Sequence, residues 1–377
     1  MYDYFSFSID TITKSGFIQQ REKLLPTTME YIFNEFNAKT KGDFLYHGYR
    51  LLACDGTRIP ICRNEKDSES FYKPNRVSRG FNQLHLNALY DLCSRKYIDA
   101  VVRPRHTAGE HNTMEMMMDR LDHSTKTIIV ADRGYESYNT IAHAMENGLK
   151  FVIRVKDTAS RSGILTGQGL SITDAFDTML HLHLTHTRSI WDLDRNYYKL
   201  LYSSTNLDYL SKEKPVYDMD LRIVRFPVSE NEYECVVTNL SYDEFTDKEI
   251  KKIYKLRWGI ESSFRELKYT IGILNFHTKK TEQIIQEIFA RLVVYNFCET
   301  IIRNHLVKHL CNKHTYQLNY TMAIHICRQY LRCDFLGCKP PNVGLLLRHN
   351  ILPVREGRKY PRNIQNRGDV SFVYRVP

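Results

Sequence analysis

The segment from Tyr254 to Lys268 constrains the fold most, because a helical period divides it into two different surfaces. At about 100° per residue, the charged and hydroxyl-bearing positions fall within an arc of about 80°; they are Tyr254, Arg257, Glu261, Arg265 and Lys268. The adjacent apolar stripe consists of Ile253, Leu256, Ile260, Phe264 and Leu267. We therefore expect a helix that packs on a core and presents one acid among cations outward. A solvated face with a Glu261–Arg265 pair is the simpler interpretation of this stripe taken alone.

Two strand-like runs each end in an aspartate. Residues 44–60 are rich in apolar and aromatic residues and contain Asp55, and the β-branched run from Lys126 leads to Asp132. The second run is typical of strands buried on both faces. Because acids are depleted in strands, two such aspartates need an explanation beyond turn chemistry.

These three segments together resemble the catalytic core of the DDE transposases, specifically the insertion-sequence-four family. The signature Y-(2)-R-(3)-E-(6)-K is matched at Tyr254, Arg257, Glu261 and Lys268. Asp55 in Cys-Asp-Gly-Thr and Asp132 in Ala-Asp-Arg-Gly-Tyr resemble the first two acids of the family. The resemblance covers about residues 44–275 and implies a DNA transposase that cuts element ends and joins them to target DNA.

The resemblance also implies a role for each residue. Asp55, Asp132 and Glu261 are expected to bind two Mg²⁺ or Mn²⁺ ions, with Asp55 bridging both. Without metal, the clustered carboxylates should raise one another's pKa. The expected DNA contacts are Tyr254, Arg257 and Lys268 from the signature, and Arg265, Arg133 and Tyr135 beside the acids. The expected partners are the terminal inverted repeats, the target DNA and a second copy of this chain in a synaptic homodimer. The expected location is the bacterial nucleoid, in the cytoplasm.

Charge supports an anionic partner without identifying it. The net charge is +10, but residues 157–245 hold 8 Lys/Arg against 14 Asp/Glu, so the rest of the chain carries +16. Residues 340–377 hold 7 Lys/Arg against 2 Asp/Glu and read as a DNA-contacting arm or a solvated end. The sequence contains no run of about 18 apolar residues, so we expect no membrane span. The N-terminus lacks a secretion signal. Nine cysteines without a regular framework fit reduced thiols.

The order of elements predicts an α/β fold with an RNase H-like core, which the family resemblance implies. We expect core segments at 44–156 and 246–310, a β-rich insertion subdomain at 157–245, and helical terminal regions at 1–43 and 311–377. Three strands, a helix, a strand, a helix and a strand precede the insertion, and the family topology places the first and fourth strands side by side. Because only 54 residues precede Asp55, we expect a shortened end-recognition arm.

Several alternatives remain open from the sequence. The chain could be an RNase H-like nuclease that does not transpose, or a non-catalytic DNA-binding remnant of a transposase. A zinc site is the weaker interpretation of one group of residues, because they lack the paired spacing of zinc ligands; they are Cys311, His314, Cys327, Cys333 and Cys338. Trp258 is expected to be structural. Trp191 is interpreted as a β-core aromatic, with stacking on an extruded base as the alternative.

Overall fold

The computed structural model describes residues 8–9, 11–40, 44–77, 79–107, 109–229, 232–305 and 316–353. The helices are α1 (Lys14–Arg21), α2 (Thr28–Lys39), α3 (Glu110–Asp119), α4 (Tyr138–Glu146), α5 (Arg188–Trp191), α6 (Asp247–Leu256), α7 (Trp258–Glu266), α8 (Thr281–His305), α9 (Tyr320–Phe335) and α10 (Val343–His349). The strands are β1 (Arg50–Ile61), β2 (Phe71–Tyr72), β3 (Phe81–Asp91), β4 (Lys96–Pro104), β5 (Thr127–Ala131), β6 (Lys150–Val155), β7 (Phe176–Thr185), β8 (Tyr198–Leu200), β9 (Tyr217–Ser229), β10 (Glu232–Thr238), β11 (Tyr316–Leu318) and β12 (Ile351–Pro353).

One large mixed sheet organises the protein. Its strands run in the order β4-β3-β1-β5-β6-β10-β9-β7-β8, and β2 pairs with the start of β3. The strands β1, β5 and β6 are parallel, whereas β1 pairs with β3 in the antiparallel sense. The predicted adjacency of the first and fourth long strands, β1 and β5, is therefore observed.

The β-branched run at β5 forms the centre of the sheet because both of its faces are covered. Ile129 and Ala131 pack into one hydrophobic cluster with α3 and α4. Ile128 and Val130 point the other way and pack with residues of α6. All five residues of β5 are buried, as expected of a parallel strand between two helical layers.

Helices cover both faces of the sheet. On one face lie α3 and α4, and the α3 methionines at 114, 117 and 118 fill the core. On the other face α7 and α8 pack over β1, β3 and β4. The helix α2 joins that face through Phe33, whose ring lies 5.8 Å from that of Phe289. The molecule is thus a mixed α/β fold with a helix layer on each side.

The segment 157–245 is β-rich, as predicted, but its strands extend the main sheet. The strands β6 and β10 make the connection: they pair in the antiparallel sense, with Val155 opposite Cys235 at one end and Val152 opposite Thr238 at the other. The strand β9 then pairs with β10 and β7. The hydrogen bonding is therefore continuous from β4 to β8.

The terminal regions are mainly helical where the structure describes them, with α1 and α2 in residues 1–43 and α9 and α10 in residues 311–377. The short strands β11 and β12 of the C-terminal region pair with each other. Residues 306–315, with Cys311 and His314, and most of the basic arm, at 354–377, lie outside the described residues. Among the helices described here, none has both the length and the apolar character that a membrane span requires.

Candidate active site

Asp55 and Asp132 emerge side by side from neighbouring parallel strands. The pairing of β1 with β5 ends at Cys54 and Ala131, and each aspartate is the next residue. Asp55 does not end its strand, contrary to the sequence interpretation, because β1 continues to Ile61 along β3. Two carboxylates are therefore held at one edge of the parallel part of the sheet.

Glycine neighbours hold both carboxylates in place. The Gly134 N–H donates to Asp132 Oδ1 at 2.8 Å, and the Gly56 N–H donates to Asp55 Oδ1 at 2.8 Å. A Cβ at Gly134 would lie 2.9 Å from Asp132 Oδ1, and one at Gly56 would lie 2.2 Å from His85 Nε2. Because a real Cβ does not come that close to other atoms, neither glycine has room for a side chain.

Glu261 brings a third carboxylate from the helix layer. Ile260 and Phe264 anchor α7 in the cluster that contains Ala53 and Ile59 of β1. Glu261, in the first turn of α7, pairs with Arg257 at 3.0 Å. The pKa of Asp55 is raised to about 6, chiefly by burial and also by the charges of Asp132 and Glu261, whereas the Gly56 N–H and Arg257 lower it. The expected repulsion between the acids is present, but burial is the larger cause.

The charged stripe of the signature segment is not a continuous exposed face. Helical bonding tightens at Arg257, where Arg257 N–H donates to Tyr254 O and Ile260 N–H donates to Arg257 O. Past α7, residues Leu267–Ile271 form a π-helical turn, so the projection at 100° per residue does not hold along the segment. Leu256, expected in the apolar stripe, is exposed as a result.

Tyr254 and Arg257 are each only 5 % exposed, so neither is a surface contact in this structure. The Arg257 guanidinium lies 5.7 Å from the Tyr254 ring and 5.0 Å from the Trp258 ring. Its charge is directed to Glu261, and it supports that carboxylate from inside the fold. Trp258 is exposed and packs beside Arg257, and its expected structural role stays a prediction.

The other residues predicted to contact DNA differ in how exposed their side chains are. Arg133 and Arg265 are exposed, and Lys268 is half-buried with a pKa lowered by burial and raised in part by Asp55. Tyr135 is only 1 % exposed and packs edge-on against His111, so it is not a surface residue in this structure, and its DNA contact stays a prediction. Trp191 lies on α5 beneath Arg195 and is therefore not in a β core.

Sequence reasoning missed a polar group on β3. Asn87, opposite Gly56 in the register, is 1 % exposed and neither of its amide atoms has a hydrogen-bond partner. His85 Nε2 lies 3.3 Å from a carboxylate oxygen of Glu110, without hydrogen-bond geometry. Polar residues at alternate positions of a buried strand were the available signal. Directly paired residues of antiparallel strands point to the same face, so Asn87 shares the α3 face with Gly56, whereas Asp55 lies on the α7 face.

Comparisons with known proteins address the same segments. A family model described as a transposase DDE domain matches residues 46–297. The transposase InsG for insertion sequence element IS4 of Escherichia coli (strain K12) is 28% identical over 135 residues, 33% of this chain and 29% of that protein. The cryo-EM structure of a piggyBac transposase synaptic complex with hairpin DNA aligns with a TM-score of 0.47 and 11% identity. This alignment covers 86% of this chain and 61% of that one. The matches thus span less than two thirds of either relative.

Proposed function

The chain belongs to the transposase DDE domain family, and from that premise we propose that it is a DNA transposase of an insertion sequence. It cuts DNA at the ends of the element and joins those ends to target DNA. The observation that carries the proposal is the convergence of three acids from separate segments, Asp55, Asp132 and Glu261, around one edge of the sheet.

The donor set fits hard divalent cations. Carboxylate oxygens are the ligands that Mg²⁺ and Mn²⁺ prefer, and three acids with one pKa raised to about 6 leave negative charge to be balanced. We propose that two such ions would bind here, held by Asp55, Asp132 and Glu261. When bound, such ions activate the attacking hydroxyl or water and stabilise the leaving oxygen. Below about pH 6, protonation of Asp55 competes with the cation.

We propose that the fold around these acids is an RNase H-like core. The order β4-β3-β1-β5-β6 supports this, as do the helices α3 and α4 that precede and follow β5. Residues 44–156 and 246–310 then form the core, and 157–245 is the insertion. Residues 1–43 form the N-terminal arm, and 311–377 form the C-terminal region.

DNA positioning is assigned by exposure. Arg133 and Arg265 are exposed beside Asp132 and Glu261, and Lys268 lies near enough to Asp55 to sense its charge. An arginine fork suits bidentate phosphate contact, and a lysine suits a point contact. We propose terminal inverted repeats and target DNA as substrates, bound by a homodimer in a synaptic complex at the bacterial nucleoid.

The test uses the purified chain and two labelled duplexes. One carries the DNA that flanks the gene at both element ends, and the other is a shuffled sequence of equal length and composition. With Mg²⁺ or Mn²⁺ we expect strand cleavage at the element boundary of the first duplex, and none with a chelator. Equal cutting of both duplexes would indicate a nuclease that does not transpose. Binding without cutting would indicate a non-catalytic remnant.

A further inference from the structure

A second acidic group lies on the opposite helix layer from α7. Glu115 of α3, His143 of α4 and Asp208 of the segment after β8 each direct one ligand atom to a common point, and these atoms lie within 4.8 Å of one another. One nitrogen and two oxygens from three elements form the usual kind of three-residue metal site, with a fourth position left for water.

The two nitrogens of His143 have different neighbours. Its Nδ1 lies 2.8 Å from Asp119 Oδ1, and its Nε2 lies 3.0 Å from Asp208 Oδ2. A carboxylate on one ring nitrogen fixes the orientation of a histidine whose other nitrogen binds a metal. At this site Asp119 has that orienting position, and Nε2 faces Asp208.

Both carboxylates among the candidate ligands also accept from neutral donors. The Thr140 hydroxyl donates to Glu115 Oε1 at 2.8 Å. Asn139 Nδ2 donates to Asp208 Oδ2 at 2.9 Å, and Asn206 Nδ2 donates to Asp208 Oδ1 at 2.9 Å. These contacts orient the carboxylates without neutralising them.

The charge of the group is not balanced by other residues. Glu115 is a carboxylate only 6 % exposed, and Asp119 and Asp208 flank the same imidazole. Within the part of the chain that the structure describes, no lysine or arginine forms an ion pair with any of the three acids. One imidazolium offsets at most one of three negative charges, and a buried carboxylate without a cation is costly. The excess charge favours a bound cation.

The group is open to solvent at two of its acids. The Asp119 and Asp208 side chains are 45% and 50% exposed, so a cation can reach the group from outside. A cation bound there contacts both the core helices α3 and α4 and the segment after β8.

We propose that Glu115, His143 and Asp208 bind a divalent transition metal of the Zn²⁺ class, and that Asp119 orients His143. The cation takes the place of the proton between His143 Nε2 and Asp208. It fastens 157–245 to the helices α3 and α4. A nitrogen ligand favours Zn²⁺ over Mg²⁺, which distinguishes this site from the three acids at Asp55.

The experiment is calorimetric titration of the full chain with Zn²⁺, in an Asp55→Asn, Asp132→Asn background that removes the other acid group. We expect one Zn²⁺ per chain, no comparable binding of Mg²⁺, and a higher midpoint of thermal unfolding with Zn²⁺. His143→Gln or Asp208→Asn should each weaken binding at least tenfold. Asp119→Asn should weaken it by roughly tenfold, as loss of an orienting carboxylate does.

The matched control is His181→Gln, because His181 pairs with Asp220 at 2.6 Å in the insertion without a third acid. This variant should bind Zn²⁺ like its parent. If circular dichroism shows that His143→Gln does not fold, the Zn²⁺ affinity of Asp208→Asn, a change at an exposed position, tests the proposal instead. The proposal is overturned if the background protein takes up no Zn²⁺, or if the affinity is the same in Asp208→Asn as in the parent.

Discussion

Asn87 is buried opposite Gly56 with an amide that has no hydrogen-bond partner, whereas the Asn82 amide on the same strand is fully hydrogen-bonded. The Asn82 amide donates to Asn64 O at 2.9 Å and to Ser70 Oγ at 2.8 Å, and its oxygen accepts from Asn64 N–H at 2.7 Å. A buried polar group without partners costs about 1–3 kcal/mol of stability. The Asn87 amide therefore lowers the stability of the fold, whereas the Asn82 amide does not.

Asn87→Leu should therefore stabilise the metal-free protein by about 1–2 kcal/mol, because it removes an unsatisfied amide and conserves volume. Urea unfolding measures the effect. Asn82→Leu is the control and should lose stability instead. A destabilised Asn87→Leu would mean that the amide has a structural partner.

Arg257 and Arg265 separate positioning from DNA contact. Arg257 is buried against Glu261, so Arg257→Ala should slow cleavage roughly 10- to 100-fold, the size of one missing charge-assisted hydrogen bond. Its DNA affinity should stay nearly constant. Arg265→Ala, at an exposed position, should weaken DNA binding more than the cleavage rate at saturation. Gel-shift and single-turnover assays distinguish these outcomes, and equal losses of affinity in both variants would contradict the assignment.

At the scale of elements, the spacing of apolar residues predicts a strand or a helix wherever the element keeps the same surroundings along its whole length. The run ending at Ala131 is apolar throughout because helices cover both faces, and the capping box at Thr246 and Glu249 marks the start of α6. The stripe from Tyr254 to Lys268 was predicted less well. The tight turn at Arg257 and the π-helical turn after Glu266 depend on tertiary packing, which a regular period does not contain.

The ion pair between Asp157 and Arg225 should make the insertion sensitive to acid. Arg225 donates to both carboxylate oxygens, at 2.7 and 3.0 Å, and its hydrogen bond is the main cause that lowers the pKa of Asp157 to about 2. A lowered pKa contributes stability above about pH 4, and that stability is lost as the pH falls towards 2.

We expect about 2 kcal/mol from this pair at neutral pH. Asp157→Asn should lose it and show a weaker dependence of unfolding free energy on pH between 4 and 2. Denaturant titrations across that range measure the effect. A parallel pH dependence in the variant and the parent would place the acid sensitivity elsewhere.

At the scale of the whole molecule, the sequence predicted the β content of 157–245 but not its place. Alternation along β10 identifies a strand with two different faces, yet it carries no information on which strand lies beside it. The pairing of Val236 with Arg154 joins segments about 80 residues apart, which only the three-dimensional fold defines. The same limit explains why Glu115, His143 and Asp208 had no signature in the sequence.

DNA binding should depend strongly on salt and use the basic parts of the chain. Residues 340–353 are partly packed, with Val343 and Leu347 in the C-terminal core, so the test removes only residues 354–377. That segment holds 6 Lys/Arg against 2 Asp/Glu. Its removal should flatten the slope of log affinity against log salt, by about 0.9 for each phosphate that the segment neutralises. A variant with the six Lys and Arg residues of this segment changed to Gln should show the same slope as the truncated protein. An unchanged slope would make the segment a solvated end.

The central claim is that Asp55, Asp132 and Glu261 form one metal-dependent site for DNA cleavage. The most direct measurement is cleavage and binding of end-bearing DNA by Asp55→Asn, Asp132→Asn and Glu261→Gln. Glu282→Gln, at an exposed acid of α8, is the control. Each of the three site variants should cut at least on the order of 10²–10³-fold more slowly, the usual loss when a preorganised charge is removed. Their DNA affinity should match that of the control. A site variant that cuts at the rate of Glu282→Gln would contradict the claim.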